Sequence, residues 1–152
     1  MGDNMNAVDI LLEKASQNLE IAEIALNKEY FDVAVSRYYY SLYQKIIWLL
    51  RKKYPDYNSY KDNGKGSHEN TFIDITKYLA RNFHKKLEIK ECGYLSQLNN
   101  LTQDVKRYRH TADYDPRKIT DDEFNKEFKN KYKSIEILLD KVISLIQIRE
   151  VK

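Results

Sequence analysis

Apolar residues recur at every third or fourth position along four long segments and one shorter segment of the chain, which is the spacing of amphipathic helices. This spacing predicts helices over about residues 6–27, 32–53, 68–83, 94–114 and 120–146. Apolar residues cover most of the second helix, so we expect it to be the most buried one. The pattern therefore predicts an all-α, single-domain, up-and-down bundle of about five helices over residues 1–152, with its core in about 8–146.

Short polar residues mark the predicted helix starts. Asp32 and Ser67 are of the types that accept a hydrogen bond at an N-cap, so each is predicted to cap its helix. The run Thr120-Asp121-Asp122-Glu123 has the pattern of a capping box, with acidic residues where the helix dipole favours them. Residues 54–67 break the periodicity and are rich in Pro, Gly, Asn and Asp, which predicts a flexible loop that is either mobile or functional.

The amino-acid composition agrees with a helical protein and limits its possible partners and cellular compartment. Hydrophobic residues make up 42% of the chain and charged residues 32%, which argues against disorder; the 4 Gly and 2 Pro leave few turns for a β-sandwich. The net charge of +3 permits a nucleic-acid partner without requiring one. A single cysteine, Cys92, excludes an internal disulfide. Because the sequence has neither a signal-peptide pattern nor the roughly 20 apolar residues that span a bilayer, we expect a cytoplasmic protein with no membrane role.

The motifs of several enzyme classes are missing. Residues 62–67 contain Gly, Lys and Ser but lack the spacing of a phosphate-binding loop. There is no HExxH motif, and His68, His84 and His110 do not share one helical face as metal ligands would. We therefore expect no metal site and no cofactor.

One candidate site lies at the end of the fourth predicted helix, in residues 107–115. Arg109 and Asp113 are four positions apart and so face the same side of the helix. One interpretation is an ordinary ion pair, with Tyr114 packed at the helix end. The other is a fixed guanidinium with a phenol and an imidazole beside it, which suits the binding and polarisation of a phosphodiester.

A second candidate site lies in the most buried helix, where three consecutive tyrosines cannot all face one way. We expect Tyr38 and Tyr39 in the core and Tyr40 at its boundary. Arg37 precedes them on the same helix and would need a partner if buried, for which the Asp113 carboxylate would serve.

Several motifs of the chain match one known pattern. The segment 12–50 contains Lys14-Ala15 and the run Ala34-Val35-Ser36-Arg37-Tyr38-Tyr39-Tyr40. Later, Ser67-His68 opens the third helix, Arg109-x-x-Ala112-Asp113-Tyr114 ends the fourth, and a capping box opens the last. In this order the motifs resemble those of small HEPN-domain proteins, over about residues 8–146. The resemblance implies a HEPN-like helical bundle.

The resemblance also implies a function. It indicates a nucleotide- or RNA-binding component of a prokaryotic toxin–antitoxin or defence system, and many HEPN proteins are metal-independent ribonucleases. Members of the ribonuclease branch carry Arg followed by His four to six residues later. Neither Arg107 nor Arg109 is followed by His at that distance, so an imidazole for RNA cleavage would have to come from His68 or His110.

Roles for individual residues follow as hypotheses from this resemblance. Arg109 would stabilise charge on a phosphate, and His68, beside the loop at the start of the third helix, would carry the proton. Further ligand contacts are predicted for six residues: Arg37, Tyr40, Arg107, His110, Asp113 and Tyr114. The alternative is a non-enzymatic module that dimerises or docks a small nucleotidyltransferase. In either case we expect a homodimer, because interfaces favour Tyr and Arg and the chain has 13 Tyr.

Overall fold

The computed structural model describes residues 6–151, and every regular element in that range is helical. Helix α1 is Ile10–Asn27, α2 is Phe31–Lys53, α3 is Ser67–Asn82 and α4 is Ile89–Tyr114, with a 3₁₀ turn at His84–Lys86. Helix α5 runs over residues 121–151 as a first turn, Asp121–Glu123, a π-helical turn, Phe124–Phe128, and an α-helix, Lys129–Val151. The predicted all-α bundle of about five helices is confirmed. None of the helices within this range has both the length and the apolar character needed to cross a bilayer.

Helix α2 lies at the centre of the bundle. It packs against α1, α3, α4 and α5. Twelve of its 23 residues are buried, among them Tyr39 and Trp48 with about 1% of their surface exposed. Apolar residues around most of its circumference account for this position, because each neighbouring helix covers a different face. The prediction that this helix is the most buried is confirmed.

Two predicted N-caps are wrong. Asp32 lies inside the first turn of α2, with Tyr30 at the N-cap position, and its carboxylate accepts a hydrogen bond from the backbone N–H of Ile119 at 2.9 Å. Ser67 is the first residue of α3 and follows Gly66, which occupies the N-cap position. A shift of one residue for Ser67 and of two for Asp32 removes the capping role, because an N-cap residue has non-helical backbone angles. Asp32 instead ties the α4–α5 connection to α2.

Other helix ends agree with the sequence or add to it. The capping box at the start of α5 is confirmed, since the backbone N–H of Glu123 donates to Thr120 Oγ1 at 3.1 Å. Helix α4 ends at Tyr114, two residues before a proline, as predicted. Its start has a second capping box, not predicted from the sequence, in which the backbone N–H of Glu88 donates to Glu91 Oε1 at 2.9 Å.

The segment between α2 and α3 has no regular structure, as predicted, but side-chain contacts tie its first half to α3. The Tyr57 hydroxyl donates to Asp74 at 2.7 Å, and Lys61 Nζ lies 2.6 and 2.8 Å from the two carboxylate oxygens of Asp74. The side-chain amide of Asn70 donates to the carbonyl oxygen of Ser59 at 3.0 Å. These contacts hold the segment beside the first turns of α3.

Candidate functional site

The guanidinium of Arg109 is buried among tyrosine rings near the end of α4. Arg109 is 9% exposed. Its Cζ atom lies 5.0 Å from the ring centroid of Tyr39 and 5.9 Å from those of Tyr40 and Tyr114. A cation at these distances from an aromatic face is attracted by the ring quadrupole, more strongly where water is excluded. Helices α2 and α4 thus hold a positive charge in a mostly aromatic pocket.

The polar partners of Arg109 are few. The nearest carboxylate oxygen, Oδ2 of Asp113, lies 3.8 Å from its Nη1 atom, which is an ion pair but beyond hydrogen-bond distance. Among the described residues no acceptor lies within hydrogen-bond distance of the buried Nε atom. A buried donor without a partner costs about 1–3 kcal/mol. Arg109 therefore keeps hydrogen-bonding capacity that the protein does not use.

His68 joins this pocket from the start of α3. Its Nδ1 atom lies 2.5 Å from the Tyr39 hydroxyl oxygen, and its ring stacks on that of Tyr43 with 4.1 Å between centroids. Burial, followed by the positive charges of Arg109 and Lys106, lowers the pKa of His68 to about 4. The imidazole is therefore neutral at pH 7, and the positive charge of the pocket comes from arginine.

Tyr39 connects the two groups. Burial raises the pKa of its phenol well above the usual value, although the Arg109 guanidinium acts in the opposite direction. The phenol thus stays protonated and shares one hydrogen bond with His68. When Tyr39 donates it, His68 Nε2 carries an N–H that suits a phosphate oxygen. When Nδ1 donates it, Nε2 is a free proton acceptor. Each tautomer offers a different chemistry at the same nitrogen.

Arg37 lies in a cleft next to this pocket. Its Nη1 donates to Asn18 Oδ1 at 3.1 Å and its Nη2 to Ser36 Oγ at 3.4 Å, and the guanidinium lies 5.3 Å from the Tyr40 ring centroid. Arg37 is only partly buried, so the condition under which it would need the Asp113 carboxylate is not met, and neutral oxygens accept two of its N–H groups. The cleft has a volume of about 510 Å³ and is lined by Asn18, Ser36, Arg37, Tyr40, Gln44, Asp113 and Tyr114.

The predicted site residues fall into two groups. Six of them lie at the pocket or its cleft: Arg37, Tyr40, His68, Arg109, Asp113 and Tyr114. Arg107 and His110 lie outside. Arg107 is exposed and pairs with Asp104, because two positions along a helix turn a side chain about 200° away from Arg109. His110 is exposed too, with Nδ1 3.8 Å from a carboxylate oxygen of Asp115.

Sequence reasoning placed Tyr39 in the core and gave Tyr43 and Gln44 no part in a site. Tyr39 is buried as expected, yet it links His68 to Arg109. The four-residue spacing of Tyr39 and Tyr43 indicates that they share a helical face, but it does not show that a histidine covers that face. No three His, Cys, Asp or Glu side chains among residues 6–151 come together as metal ligands.

Comparison with known proteins gives one informative result. The chain is 35% identical over 107 residues to a protein of Methanocaldococcus jannaschii named "Putative toxin MJ0142". The aligned region covers 69% of this chain and 60% of that protein, so the chain spans about three-fifths of the relative's length. This similarity connects the chain to a toxin-named protein. No family model matches the chain, and no solved structure matches it; the HEPN domain remains a prediction.

Proposed function

We propose that this protein is a HEPN-type RNA- or nucleotide-binding component of a prokaryotic toxin–antitoxin or defence system. Its phosphate site would be the Arg109 pocket, by which we mean Arg109 with Tyr39, Tyr40, His68 and Tyr114. The observation that carries the proposal is the meeting of Arg109 and His68, which are 41 positions apart in the sequence, on one tyrosine. Tyr40 and Tyr114 contact the Arg109 guanidinium and also line the cleft of about 510 Å³, so a phosphate in this cleft would lie next to a buried positive charge. Similarity to a toxin-named protein supports the toxin–antitoxin setting.

The pocket also has the groups needed to cleave RNA without a metal. Attack of a 2′-hydroxyl on the neighbouring phosphorus forms the P–O2′ bond of a 2′,3′-cyclic phosphate and breaks the P–O5′ bond. The 2′-hydroxyl gives up its proton, negative charge builds on the phosphate oxygens, and the departing 5′-oxygen takes a proton from water. A neutral His68 can accept the 2′-hydroxyl proton at Nε2, and Arg109 can stabilise the charge. Because the pKa of His68 is lowered to about 4, the imidazole stays unprotonated above about pH 5. Protonation of His68 therefore does not limit the rate of cleavage in that range.

A cleavage assay on single-stranded RNA with EDTA present tests the enzymatic form of the proposal. We expect Arg109→Ala and His68→Ala to abolish cutting, and His110→Ala to leave it intact. His110 is the matched control because it is an exposed histidine next to Arg109 in sequence but outside the pocket. Equal cutting by all four proteins would reveal a contaminating nuclease and contradict the proposal.

Binding without cleavage is measured separately by fluorescence anisotropy of a labelled RNA. If wild type does not cut but binds, with weaker binding by Arg109→Ala, the protein is a binding component without ribonuclease activity. If wild type neither cuts nor binds RNA or nucleotides, the phosphate site is refuted.

The solvent face of α1 favours a second candidate function, docking or dimerisation. Ile10, Ile21 and Ile24 are 40%, 48% and 46% exposed. Because 11 residues make about three helical turns, Ile10 and Ile21 lie on the same side of the helix, with Ile24 next to them. Exposed aliphatic side chains on one helix face are typical of contact surfaces. Light scattering of wild type and of Ile21→Lys tests it: a dimer mass that falls to the monomer mass supports docking through α1.

A further inference from the structure

One face of α2 carries a regular series of residues, and only the first of them lie next to the Arg109 pocket. Arg37, Tyr40, Gln44, Ile47 and Arg51 are spaced by three, four, three and four positions, which aligns them along one side of the helix. The rise of about 1.5 Å per residue puts the two arginines about 21 Å apart along the axis. The face therefore runs from the Arg109 pocket to the far end of α2.

Two clefts lie along this face, and Gln44 lines both of them. The cleft of about 510 Å³ contains Arg37 and borders the Arg109 pocket. The other, of about 720 Å³, lies between residues 7–11 at the start of α1, the second half of α2 and the α2–α3 segment. It is lined by Arg51, Tyr43 and Tyr57 as well as Gln44. Between the two clefts, the side-chain oxygen of Gln44 accepts a hydrogen bond from the Asn18 amide at 2.9 Å. We call the two clefts together the α2 groove, which has an arginine in each half.

Tyrosine rings line the α2 groove and are fixed from behind. The Tyr57 hydroxyl donates to Asp74 at 2.7 Å. The Tyr43 ring stacks on His68, and its hydroxyl lies 3.5 Å from Thr71 Oγ1. Rings held in this way offer flat surfaces to a base at little cost in side-chain entropy. Alternating arginines and aromatic rings along a groove are the chemistry of single-stranded nucleic-acid binding.

We propose that single-stranded RNA binds along the α2 groove, with phosphates at Arg37 and Arg51 and bases against the tyrosine rings. This inference rests on the proposed function and adds the length of the ligand. The span of about 21 Å between the two arginines is longer than a dinucleotide, so the ligand is a longer oligonucleotide. The strand starts at the Arg109 pocket and leaves past Arg51.

The charge of the α2 groove sets the mode of binding. Asp56 and Asp113 line it together with Arg37 and Arg51, so its positive and negative side chains are equal in number. A general electrostatic field therefore contributes little, and contacts with individual phosphates through the planar guanidinium forks, with base stacking, contribute most. Affinity should fall only modestly as salt is added, in contrast to the steep fall of a strongly basic surface.

Anisotropy titrations with a labelled RNA octanucleotide and a labelled RNA dinucleotide test the groove. Arg51→Gln removes an exposed guanidinium far from the Arg109 pocket. Arg117→Gln removes an exposed guanidinium from the α4–α5 connection, outside both clefts, as the matched control. Arg51→Gln should weaken octanucleotide binding about tenfold, the effect of one charge-assisted hydrogen bond, and reduce the salt slope by about 0.7. The dinucleotide should bind both variants as it binds wild type.

The outcomes separate this inference from the proposed function. If Arg51→Gln and Arg117→Gln bind the octanucleotide equally while Arg109→Ala loses binding, the α2 groove is wrong and the phosphate site stands. If wild type binds the dinucleotide and the octanucleotide with the same affinity, the extended ligand is also refuted. If wild type binds neither, the failure belongs to the proposed function. Circular dichroism confirms that each variant is folded.

Discussion

Replacing Arg109 by methionine distinguishes a functional arginine from a structural one. Methionine is unbranched and flexible and can fill the space between the tyrosine rings without a charge. A buried charge with an unpaired hydrogen-bond donor lowers the stability of the fold. An arginine that stabilised the fold would instead have a protein acceptor for each buried donor. We therefore expect the variant to lose RNA binding and cleavage but to unfold at nearly the wild-type denaturant concentration.

The magnitude follows from the contacts of Arg109. Its contacts with the rings of Tyr39 and Tyr40, at 5.0 and 5.9 Å, stabilise the fold by about 1 kcal/mol each. The ion pair with Asp113 at 3.8 Å adds about 1 kcal/mol. Against these stand about 1–3 kcal/mol for the unpaired Nε and a further desolvation cost of the charge. Gains and costs nearly cancel, so the free energy of unfolding should change by about 1 kcal/mol or less.

Urea denaturation followed by circular dichroism measures that change. Leu98→Ala is the reference variant, because Leu98 lies on the same helix with 0% of its surface exposed and its truncation should cost about 2–5 kcal/mol. If Arg109→Met loses as much stability as Leu98→Ala, the arginine is a structural part of the core and our reasoning about the unused donor is wrong.

Four further predictions follow. The pKa of His68 lies at about 4 in the folded state and near 6.5 when unfolded, so the unfolded state binds more protons between these values and stability falls as pH drops from 6.5 to 4. Because the His68 ring is partly exposed, this loss should be about 1 kcal/mol. Urea titrations at pH 6.5 and pH 4 should show the loss of stability in wild type and not in His68→Asn. Asp113→Asn should cost about 2 kcal/mol, more than a surface pair, because it leaves a buried guanidinium without its counter-ion; a melting curve that overlays wild type would show a solvated pair. Tyr57→Phe removes the hydroxyl that donates to Asp74, and proteolysis within the α2–α3 segment should become faster while the core helices stay resistant. Finally, light scattering at micromolar concentration should give a dimer mass, and a monomer mass would contradict the predicted homodimer.

The helices could be predicted from the sequence because each has one apolar face, but the details of their ends could not. An Asp or Ser near a helix start fits the N-cap position and the first turn equally well. Asp32 lies in the turn because its carboxylate binds the backbone of Ile119, 87 positions away. The spacing of residues around a helix start does not reveal a partner so distant in the sequence. The capping box at Glu88 was missed because Glu is not among the residues preferred at an N-cap.

The candidate site could be predicted only one helix at a time. The spacing of Arg109 and Asp113 on one helix shows that they are neighbours, and the structure places them 3.8 Å apart. How His68 reaches Arg109 depends on the way α3 and α4 pack against α2, and that is set by the whole core. Tyr39 therefore looked like an ordinary core residue, although it contacts both groups.

The contacts between the α2–α3 segment and α3 have a practical consequence for placing a probe in this protein. They hold residues 57–63, but the following tip at Gly64 has a φ of +77° and no heavy atom within 4 Å of an added Cβ position. An inserted peptide at such a tip lengthens a loop whose closure entropy grows only slowly with length. A short epitope or a fluorophore-binding tag placed after Gly64 should leave the bundle intact.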